Sequence, residues 1–338
     1  MKKRRIGRTR LEVTEYGFGG ASLGNLYEAV SRDNAMAALD AAWRAGIRYF
    51  DTAPHYGFGL SERRFGDFLS GRPRDSYVLS TKVGRLLKPV PEDQVPKLGF
   101  VDPLPFKLQY DYSYDGIMRS VDFSHARLGL NRIDILYVHD IGVYTHGIEL
   151  TKIHLAQLLG GGLRALEELK SDGTISAYGL GVNEVEICLN VLRRAPVDCI
   201  LLAGRYSLLD RSAEAELIPL CREAGTSLVI GGVFNSGILA TGATAGAHFD
   251  YGPAPQDVQD KVRAMEGTAA EGGYPLPAAA LQFPLAEATV ASVLIGTGKA
   301  SSLERNMKLL EAPVPQSEYE KYRPYTVVQP PLTGAVRE

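Results

Sequence analysis

Eight short apolar segments, each followed by a segment of helical periodicity, recur in series along the 338-residue chain. The apolar segments lie at 15–19, 48–51, 77–82, 133–139, 177–181, 199–203, 227–231 and 292–295. The helical patterns lie at 33–45, 62–69, 114–128, 163–170, 184–193, 213–223, 258–271 and 302–310. Strands that are apolar on both faces and alternate with helices indicate a parallel sheet covered by helices. Eight such units are the number that closes a (β/α)8 barrel.

A doubly wound sheet is the alternative arrangement for such a series. Residues 17–20 (GFGG) are rich in glycine after the first strand, but they continue as Ala-Ser-Leu-Gly. They do not open a helix in the G-x-G-x-x-G register of a dinucleotide fingerprint. We therefore predict one (β/α)8 TIM barrel domain over residues 1–338, with a short N-terminal hairpin that pairs 4–6 with 12–14.

Three connections, at 84–112, 140–162 and 232–255, are too long to be simple turns. All three leave the carboxyl ends of strands, so on a barrel they would crowd the face where active sites lie. The tail after about residue 313 is rich in proline, which argues against a helix there. We expect this tail to fold over the same face.

Polar side chains end three of the buried strands. Asp51, Lys82 and His139 are the last residues of their apolar runs, and Tyr56 follows Asp51 by five positions. On a parallel barrel these groups would converge at one end of the sheet. An acid, a lysine, a phenol and an imidazole in one place are suited to proton transfer at an alcohol or carbonyl carbon.

Composition excludes several classes of function. The net charge of −2 gives no field that would attract nucleic acid or a membrane surface, and no apolar run of eighteen residues exists. Cys188, Cys199 and Cys221 lack a C-x-x-C pairing, which favours buried packing roles and a reducing compartment such as the cytoplasm. The six histidines form no metal-binding motif, so no metal is expected. The oligomeric state stays open.

Several segments resemble the aldo-keto reductase family: 7–14 (GRTRLEVT), 51–57 (DTAPHYG), 80–84 (STKVG), 136–139 (LYVH) and 304–306 (ERN). They occur in the family's order and span nearly the whole chain. The resemblance implies catalysis by hydride transfer, in which Tyr56 carries the proton. A nearby ammonium stabilises a phenolate, so we expect Lys82 to lower the pKa of Tyr56 and Asp51 to hold Lys82. His139 would bind the substrate oxygen.

A cofactor site is expected where residues 294–299 (LIGTGK) lead into the last helix, because barrels bind phosphate after strands seven and eight. The resemblance implies a nicotinamide dinucleotide, with Asn183 at the carboxamide and Tyr206 stacked on the nicotinamide ring. The cofactor-binding candidates are Asn183, Tyr206, Phe234, Asn235, Ser236, Gly237, Leu239, Gly296, Thr297, Lys299, Ser302, Arg305 and Asn306.

The chain departs from the family at the phosphate clamp. The Lys and Arg that hold the 2′-phosphate in NADP-specific members fall near Gly296 and Ser302, and only Lys299 and Arg305 remain nearby. A guanidinium fork is the natural partner of a 2′-phosphate. We therefore expect NAD to be favoured, without excluding NADP.

Residues 138–140 (VHD) and 204–210 (GRYSLLD) resemble the branch of the family that oxidises sugars at the anomeric carbon. Asp140, Tyr144 and Arg205 are the candidates for contact with a small polyhydroxylated substrate. We expect oxidation of an aldose of the L-fucose, D-threo-aldose or galactose type to its lactone. The alternatives are a pyridoxal 4-dehydrogenase or a general NADPH-dependent aldehyde or ketone reductase. A non-enzymatic cofactor-binding subunit is disfavoured by the four polar residues.

Overall fold

A closed barrel of eight parallel strands forms the centre of the protein in the computed structural model, which describes residues 1–328. The barrel strands, numbered along the chain, are β1 (Tyr16–Gly19), β2 (Tyr49–Asp51), β3 (Val78–Val83), β4 (Ile135–His139), β5 (Ala177–Val182), β6 (Cys199–Ala203), β7 (Ser227–Gly231) and β8 (Val290–Ile295). They follow one another around the ring, and β8 pairs with β1 to close it. The predicted (β/α)8 barrel is confirmed.

Helices surround the barrel. Their bounds are α1 (Arg32–Arg44), α2 (Leu60–Leu69), α3 (Tyr114–Leu128), α4 (Val143–Gln157), α5 (Leu163–Ser171), α6 (Val185–Leu192), α7 (Leu217–Ala224), α8 (Ile238–Thr241), α9 (Gln256–Glu271), α10 (Leu276–Gln282) and α11 (Ala300–Lys308). In α1, Ser31 caps the amino end by accepting a hydrogen bond from the backbone N–H of Asn34. The small buried side chains of Ala35, Ala38 and Ala42 allow this helix to lie close to the strands.

The barrel interior has its own apolar core. Side chains such as Ile135, Leu201 and Val229 fill it from the strands. The antiparallel hairpin of Lys3–Arg5 and Glu12–Thr14 adds Ile6 and Val13, which are almost fully buried in the same core. The predicted hairpin is therefore present, and its residues pack against the barrel core at the end opposite the strand-end polar groups.

The three long connections contain regular structure that the sequence did not reveal. Residues 84–112 hold an antiparallel hairpin of Arg85–Pro89 with Phe106–Tyr110. Residues 140–162 are mostly helical, as α4 and a π-helical turn at Leu158–Gly162, and not the loop that we expected. Gly147 breaks the helical pattern with a φ of 69°, which hides α4 from a search for periodicity.

The described part of the tail packs along the side of the barrel. Gln316–Tyr325 forms a 3-10 helix, so the expectation that proline excludes a helix here is wrong; a 3-10 turn tolerates Pro324 near its end. This segment lies against α9, and Tyr319 contacts Phe283. Val327 reaches the connection after β6, where its N–H donates to the Leu209 carbonyl. We predicted that the tail after about residue 313 covers the active-site face, and the part of it after residue 328 lies outside the described residues.

Over residues 1–328, no helix is both long enough and apolar enough to cross a bilayer. The cysteines Cys188, Cys199 and Cys221 are free and buried, as the sequence predicted.

Candidate active site

Asp51 and Lys82 form a buried ion pair at the carboxyl ends of adjacent strands β2 and β3. Lys82 Nζ lies 2.7 Å from Asp51 Oδ2 and also donates to the Thr52 carbonyl at 3.0 Å. Both side chains are nearly inaccessible to solvent. A lysine at such a depth is stable only when its charge is matched, which is what Asp51 provides.

Burial and the attraction between the two charges act in opposite directions on this pair. Burial raises the pKa of Asp51, and the Lys82 charge and hydrogen bonds from Lys82 and Ser80 act against that rise. Burial disfavours the ammonium of Lys82, yet its pKa is raised, because Asp51 and Tyr56 attract the proton more strongly. Lys82 is therefore a cation at neutral pH.

Tyr56 lies beside this cation. Its ring centroid is 4.6 Å from Lys82 Nζ. The turn after β2 places it there: the Tyr56 N–H bonds the Ala53 carbonyl, and Gly57 follows with a φ of 63° where it packs against Gly24. Burial raises the pKa of Tyr56, and Lys82 lowers it without reversing the rise. The expectation that Lys82 brings this pKa below its usual value is thus wrong for the protein alone, although the direction of the lysine's effect is as expected.

His139 completes the group at the end of β4. Its ring is perpendicular to that of Tyr56, with 6.0 Å between centroids. Burial, together with the charges of Arg85 and Lys82, lowers the pKa of His139 well below its usual value, so the imidazole is neutral. Nε2 lies 3.4 Å from Asp140 Oδ2, and Nδ1 is buried without a hydrogen-bond partner among residues 1–328. A neutral imidazole can donate one hydrogen bond to an oxygen in the site.

Asp140 is held in place by side chains from two other segments. Arg85 Nη2 is 2.7 Å from its Oδ2, and Asn183 Nδ2 donates to its Oδ1 at 3.1 Å. The backbone φ of Asp140 is 38°, a region that non-glycine residues rarely occupy. Such local strain is typical of functional positions. Tyr251 donates to Asn183 Oδ1 at 3.2 Å and so connects the 232–255 segment to this network.

A cavity of about 340 Å³ opens beside these groups. Asp51 and Tyr56 form one wall of it. The lining also includes the predicted residues Arg205, Phe234, Asn235, Ser236, Gly237 and Gly296. Tyr27 and Tyr251 line it as well. Both lie in segments without regular periodicity, so no sequence pattern points to them.

Much of the cavity lining is backbone. Glycines supply much of the lining, namely Gly19, Gly20, Gly204, Gly231, Gly232, Gly237 and Gly296. A Cβ on Gly296 would lie 3.2 Å from the Gly19 oxygen, closer than such contacts normally are. A flat or anionic ligand can approach backbone N–H groups in a wall of this kind, and the amino end of α11 lies next to Gly296. These residues fit a nicotinamide dinucleotide.

The other predicted cofactor residues do not line the cavity. Thr297, Lys299, Ser302, Arg305 and Asn306 follow Gly296 along the loop and α11. Leu239 is fully buried in the core. Asn183 donates to Asp140 and accepts from Tyr251.

Tyr206 is placed differently from the prediction. Its buried ring packs 5.0 Å from that of Phe283 in the outer core. Its neighbour Arg205 lines the cavity instead. The prediction that Tyr206 stacks on the nicotinamide ring is therefore wrong.

Arg205 and Tyr144, predicted as substrate contacts, are engaged with the protein. Arg205 Nη2 bonds Asp250 Oδ1 at 2.8 Å, and Nη1 is 3.6 Å from Asp210. The Tyr144 N–H donates to Glu184 Oε1 at 2.9 Å. Burial raises the pKa of Tyr27, and the nearby Tyr144 adds to this rise.

A closed barrel that gathers a phenol, an ammonium, a carboxylate and an imidazole beside a glycine-lined cavity defines an oxidoreductase of the barrel type. The sequence matches the profile of the Aldo/keto reductase family over residues 15–324, and the chain belongs to that family. It is accordingly an NAD(P)-dependent oxidoreductase. Among residues 1–328, no group of His, Cys, Asp or Glu side chains is arranged to hold a metal ion.

Similar proteins include enzymes of known activity. The chain is 46% identical over 332 residues to a pyridoxal 4-dehydrogenase of Microbacterium luteolum, covering 95% of this chain and 96% of the relative. It is 40% identical over 310 residues to a D-threo-aldose 1-dehydrogenase of a Pseudomonas species, covering 90% and 92%. The holo form of an aldo-keto reductase from Bacillus halodurans superposes with a TM-score of 0.76 at 28% identity, covering 100% of this chain and 98% of that one.

Proposed function

We propose that the protein oxidises the cyclic hemiacetal form of an aldose to the lactone. The observation that carries this proposal is the contact between Tyr56 and the buried Lys82–Asp51 pair beside the cavity. A phenol next to a fixed cation can accept a hydroxyl proton and return it to solvent. The D-threo-aldose 1-dehydrogenase relative supports a sugar as the substrate.

The residues of this chain act on the hydroxyl at the oxidised carbon. Tyr56, as phenolate, takes the proton of that hydroxyl, and Lys82 stabilises the phenolate. His139, neutral and next to Tyr56, donates a hydrogen bond to the same oxygen and fixes its orientation. Bound NAD(P) supplies the acceptor of the hydride that leaves the carbon.

Asp140 is suited to a second hydroxyl of the substrate. Its carboxylate accepts hydrogen bonds and is held rigidly by Arg85 and Asn183. An anionic acceptor next to the reacting carbon favours a ligand that offers O–H donors over one that offers only a carbonyl acceptor. This preference agrees with an aldose and with the oxidative direction.

Pyridoxal is the second candidate. It also forms a cyclic hemiacetal whose oxidation gives a lactone, and the 46% identical relative is a pyridoxal 4-dehydrogenase. The observation that favours it is the pair of tyrosines, Tyr27 and Tyr251, that line the cavity with Tyr56. Aromatic rings around a cavity provide stacking surfaces for a pyridine ring.

One assay decides between these candidates. NADH formation is followed at mildly alkaline pH with L-fucose, D-threo-aldoses, D- and L-galactose and pyridoxal, with the lactone products identified by mass spectrometry. Aldose oxidation at a kcat/KM well above that for pyridoxal supports the proposal. A strong preference for pyridoxal would reject an aldose as the substrate, but it would still agree with oxidation of a cyclic hemiacetal. Reduction of simple aldehydes without any hemiacetal oxidation rejects both.

A further inference from the structure

A row of hydroxyl groups lies beneath Asp51 in the interior of the barrel. Ser80 donates to Asp51 Oδ1 at 2.7 Å, on the side of the carboxylate away from Lys82. The Ser80 hydroxyl is 3.2 Å from that of Tyr49, which is 2.9 Å from that of Tyr137. Cys199 donates its thiol hydrogen to the Tyr137 oxygen at 3.6 Å. The row therefore connects the catalytic carboxylate to the middle of the barrel.

These groups stand in an otherwise apolar core. Ser80, Tyr49 and Tyr137 are fully buried, and the core around the two phenols consists of aliphatic residues such as Ile135, Val229 and Leu294. Buried hydroxyls need hydrogen-bond partners, which this row supplies, whereas phenylalanine would fill the same space without needing any. The presence of two phenols here calls for a role beyond packing.

The single hydrogen of the Ser80 hydroxyl has two acceptors within reach, Asp51 Oδ1 at 2.7 Å and the Tyr49 oxygen at 3.2 Å. The bond to Asp51 is shorter and its acceptor is charged, so an ionised Asp51 takes this hydrogen. The Ser80 oxygen can then accept the hydrogen of Tyr49, and Tyr49 that of Tyr137, because either phenol can be the donor of their 2.9 Å contact. Hydrogen bonds aligned in this way polarise one another and strengthen the bond to Asp51. We therefore infer that the row is matched to an ionised Asp51.

We propose that Ser80, Tyr49 and Tyr137 are positioning residues that keep Asp51 ionised and aimed at Lys82. The inference rests on the proposed role of the Lys82–Asp51 pair in supporting Tyr56. Through Asp51 and Lys82, these three residues of the barrel interior would influence proton transfer at Tyr56, although none of them lines the cavity.

The charges around Asp51 agree with this assignment. Burial raises the pKa of the Asp51 carboxyl, and the forces that oppose the rise are Lys82 and the hydrogen bond from Ser80. When the Ser80 hydroxyl is removed, only Lys82 opposes the rise in the Asp51 pKa that burial causes. The titratable groups that interact with Asp51 are Lys82, Tyr49, Tyr56 and Tyr137.

The test measures the ionisation of Asp51 directly in the full-length protein. Carboxyl-labelled aspartate is incorporated, the Asp51 signal is assigned with Asp51→Asn, and its carbon-13 shift is followed from pH 4 to 9. Ser80→Ala is expected to raise the pKa of Asp51 by about one pH unit, since a hydrogen bond to the charged form is lost. In the pH profile of kcat/KM, the rise on the acidic side should move to higher pH by the same amount. Tyr49→Phe and Tyr137→Phe should shift the pKa of Asp51 and the acidic side of the kcat/KM profile in the same direction, but by smaller amounts than Ser80→Ala does.

Ser292→Ala is the matched control. Ser292 is also a fully buried serine on a barrel strand, but its hydroxyl donates to the Thr14 carbonyl at 2.8 Å and not to this row. This variant should titrate as the wild type. An Asp51 titration in Ser80→Ala and Tyr137→Phe that coincides with that of the wild type overturns the proposal. If the Asp51 titration shifts in these variants but the wild type oxidises no hemiacetal, the role of the hydroxyl row is supported and the proposed function is rejected.

Discussion

Arg205 binds Asp250 across the mouth of the barrel, with 2.8 Å between Nη2 and Oδ1 and both side chains less than a tenth exposed. The pair joins the end of β6 to the segment 232–255, which supplies the Phe234–Gly237 part of the cavity wall. Next to it, Tyr251 reaches Asn183 on the other side of the mouth. This segment is therefore fastened at two adjacent positions.

Replacement of Arg205 tests the first of these attachments. Arg205→Met removes the cation shared by two buried carboxylates, Asp210 and Asp250, and is expected to lower the free energy of unfolding by ~3 kcal/mol. Urea unfolding of the variant and the wild type measures this loss of free energy. Arg193→Met is the control, because its pair with Glu216 is exposed and should contribute less than ~1 kcal/mol. Equal losses in the two variants would contradict the structural role of Arg205.

Tyr56→Phe is expected to reduce kcat/KM by ~10²–10⁴-fold while NAD binding, followed by fluorescence titration, is retained. The phenol acts on the substrate hydroxyl and not on the cofactor, so only turnover should suffer. Tyr114→Phe, which removes a phenol that bonds Glu168 on the outer surface, is the control. A Tyr56→Phe variant with more than about a tenth of the wild-type kcat/KM means that another group carries the proton.

Lys82→Met is expected to move the pH profile of oxidation to higher pH, in addition to slowing the reaction. Burial raises the pKa of Tyr56 and Lys82 counteracts this, so removing the cation leaves a still weaker acid. The oxidation rate rises as the Tyr56 phenolate forms, so this rise in the pH profile then appears at higher pH. Lys170→Met, which removes a lysine paired with Asp198 elsewhere in the barrel, should not change the profile. An unchanged apparent pKa in Lys82→Met would restrict Lys82 to a structural role.

Buried His146 makes the protein sensitive to acid. Burial, His154 and Arg85 lower the pKa of His146 to about 3, whereas the unfolded chain has the ordinary value near 6.5. Between these values the unfolded state binds the extra proton, so stability falls as the pH drops from 6.5, by up to ~1.4 kcal/mol per pH unit. His146→Gln should reduce this slope in urea unfolding at pH 7 and 5, and His248→Gln, at an exposed position, should not. Parallel slopes for His146→Gln and the wild type would show that His146 is protonated in the folded state.

NAD is expected to be used at least as well as NADP. Lys299 Nζ is 3.0 Å from Glu28 Oε2, so this lysine is already paired and a carboxylate stands beside it, where a 2′-phosphate would be repelled. Glu28→Gln should raise kcat/KM for NADP relative to NAD, and the ratio of the two constants measures it. A strong NADP preference in the wild type would identify Lys299 and Arg305 as a clamp, and Arg305→Ala should then weaken NADP far more than NAD.

The sequence predicted the parts of the site that regular structure positions. Asp51, Lys82 and His139 end buried strands, and the carboxyl ends of parallel strands meet by geometry alone. The order of the ring followed from the same alternation of strands and helices. Tyr206 was misplaced because a residue just after a strand can face either side, and only packing against Phe283 decides which.

Other features depend on contacts between distant segments. Arg85 and Tyr251 come from long connections, and their association with Asp140 and Asn183 leaves no periodic signal. The net rise of the Tyr56 pKa depends on the depth of its burial, which no local pattern records. Helix α4 was missed because Gly147 interrupts its pattern.

The pairing of β8 with β1, in which Ile295 stands opposite Phe18, has a consequence for synthesis of the chain. The ring closes only after about nine-tenths of the first 328 residues, up to Ile295, have left the ribosome. Until then β1 and β7 are open edges with unpaired backbone groups, which invite association with other chains. A product that stops before Val290 would carry all four polar residues of the site and still lack a closed sheet to hold them. Premature termination therefore yields an aggregation hazard and not a weakened enzyme.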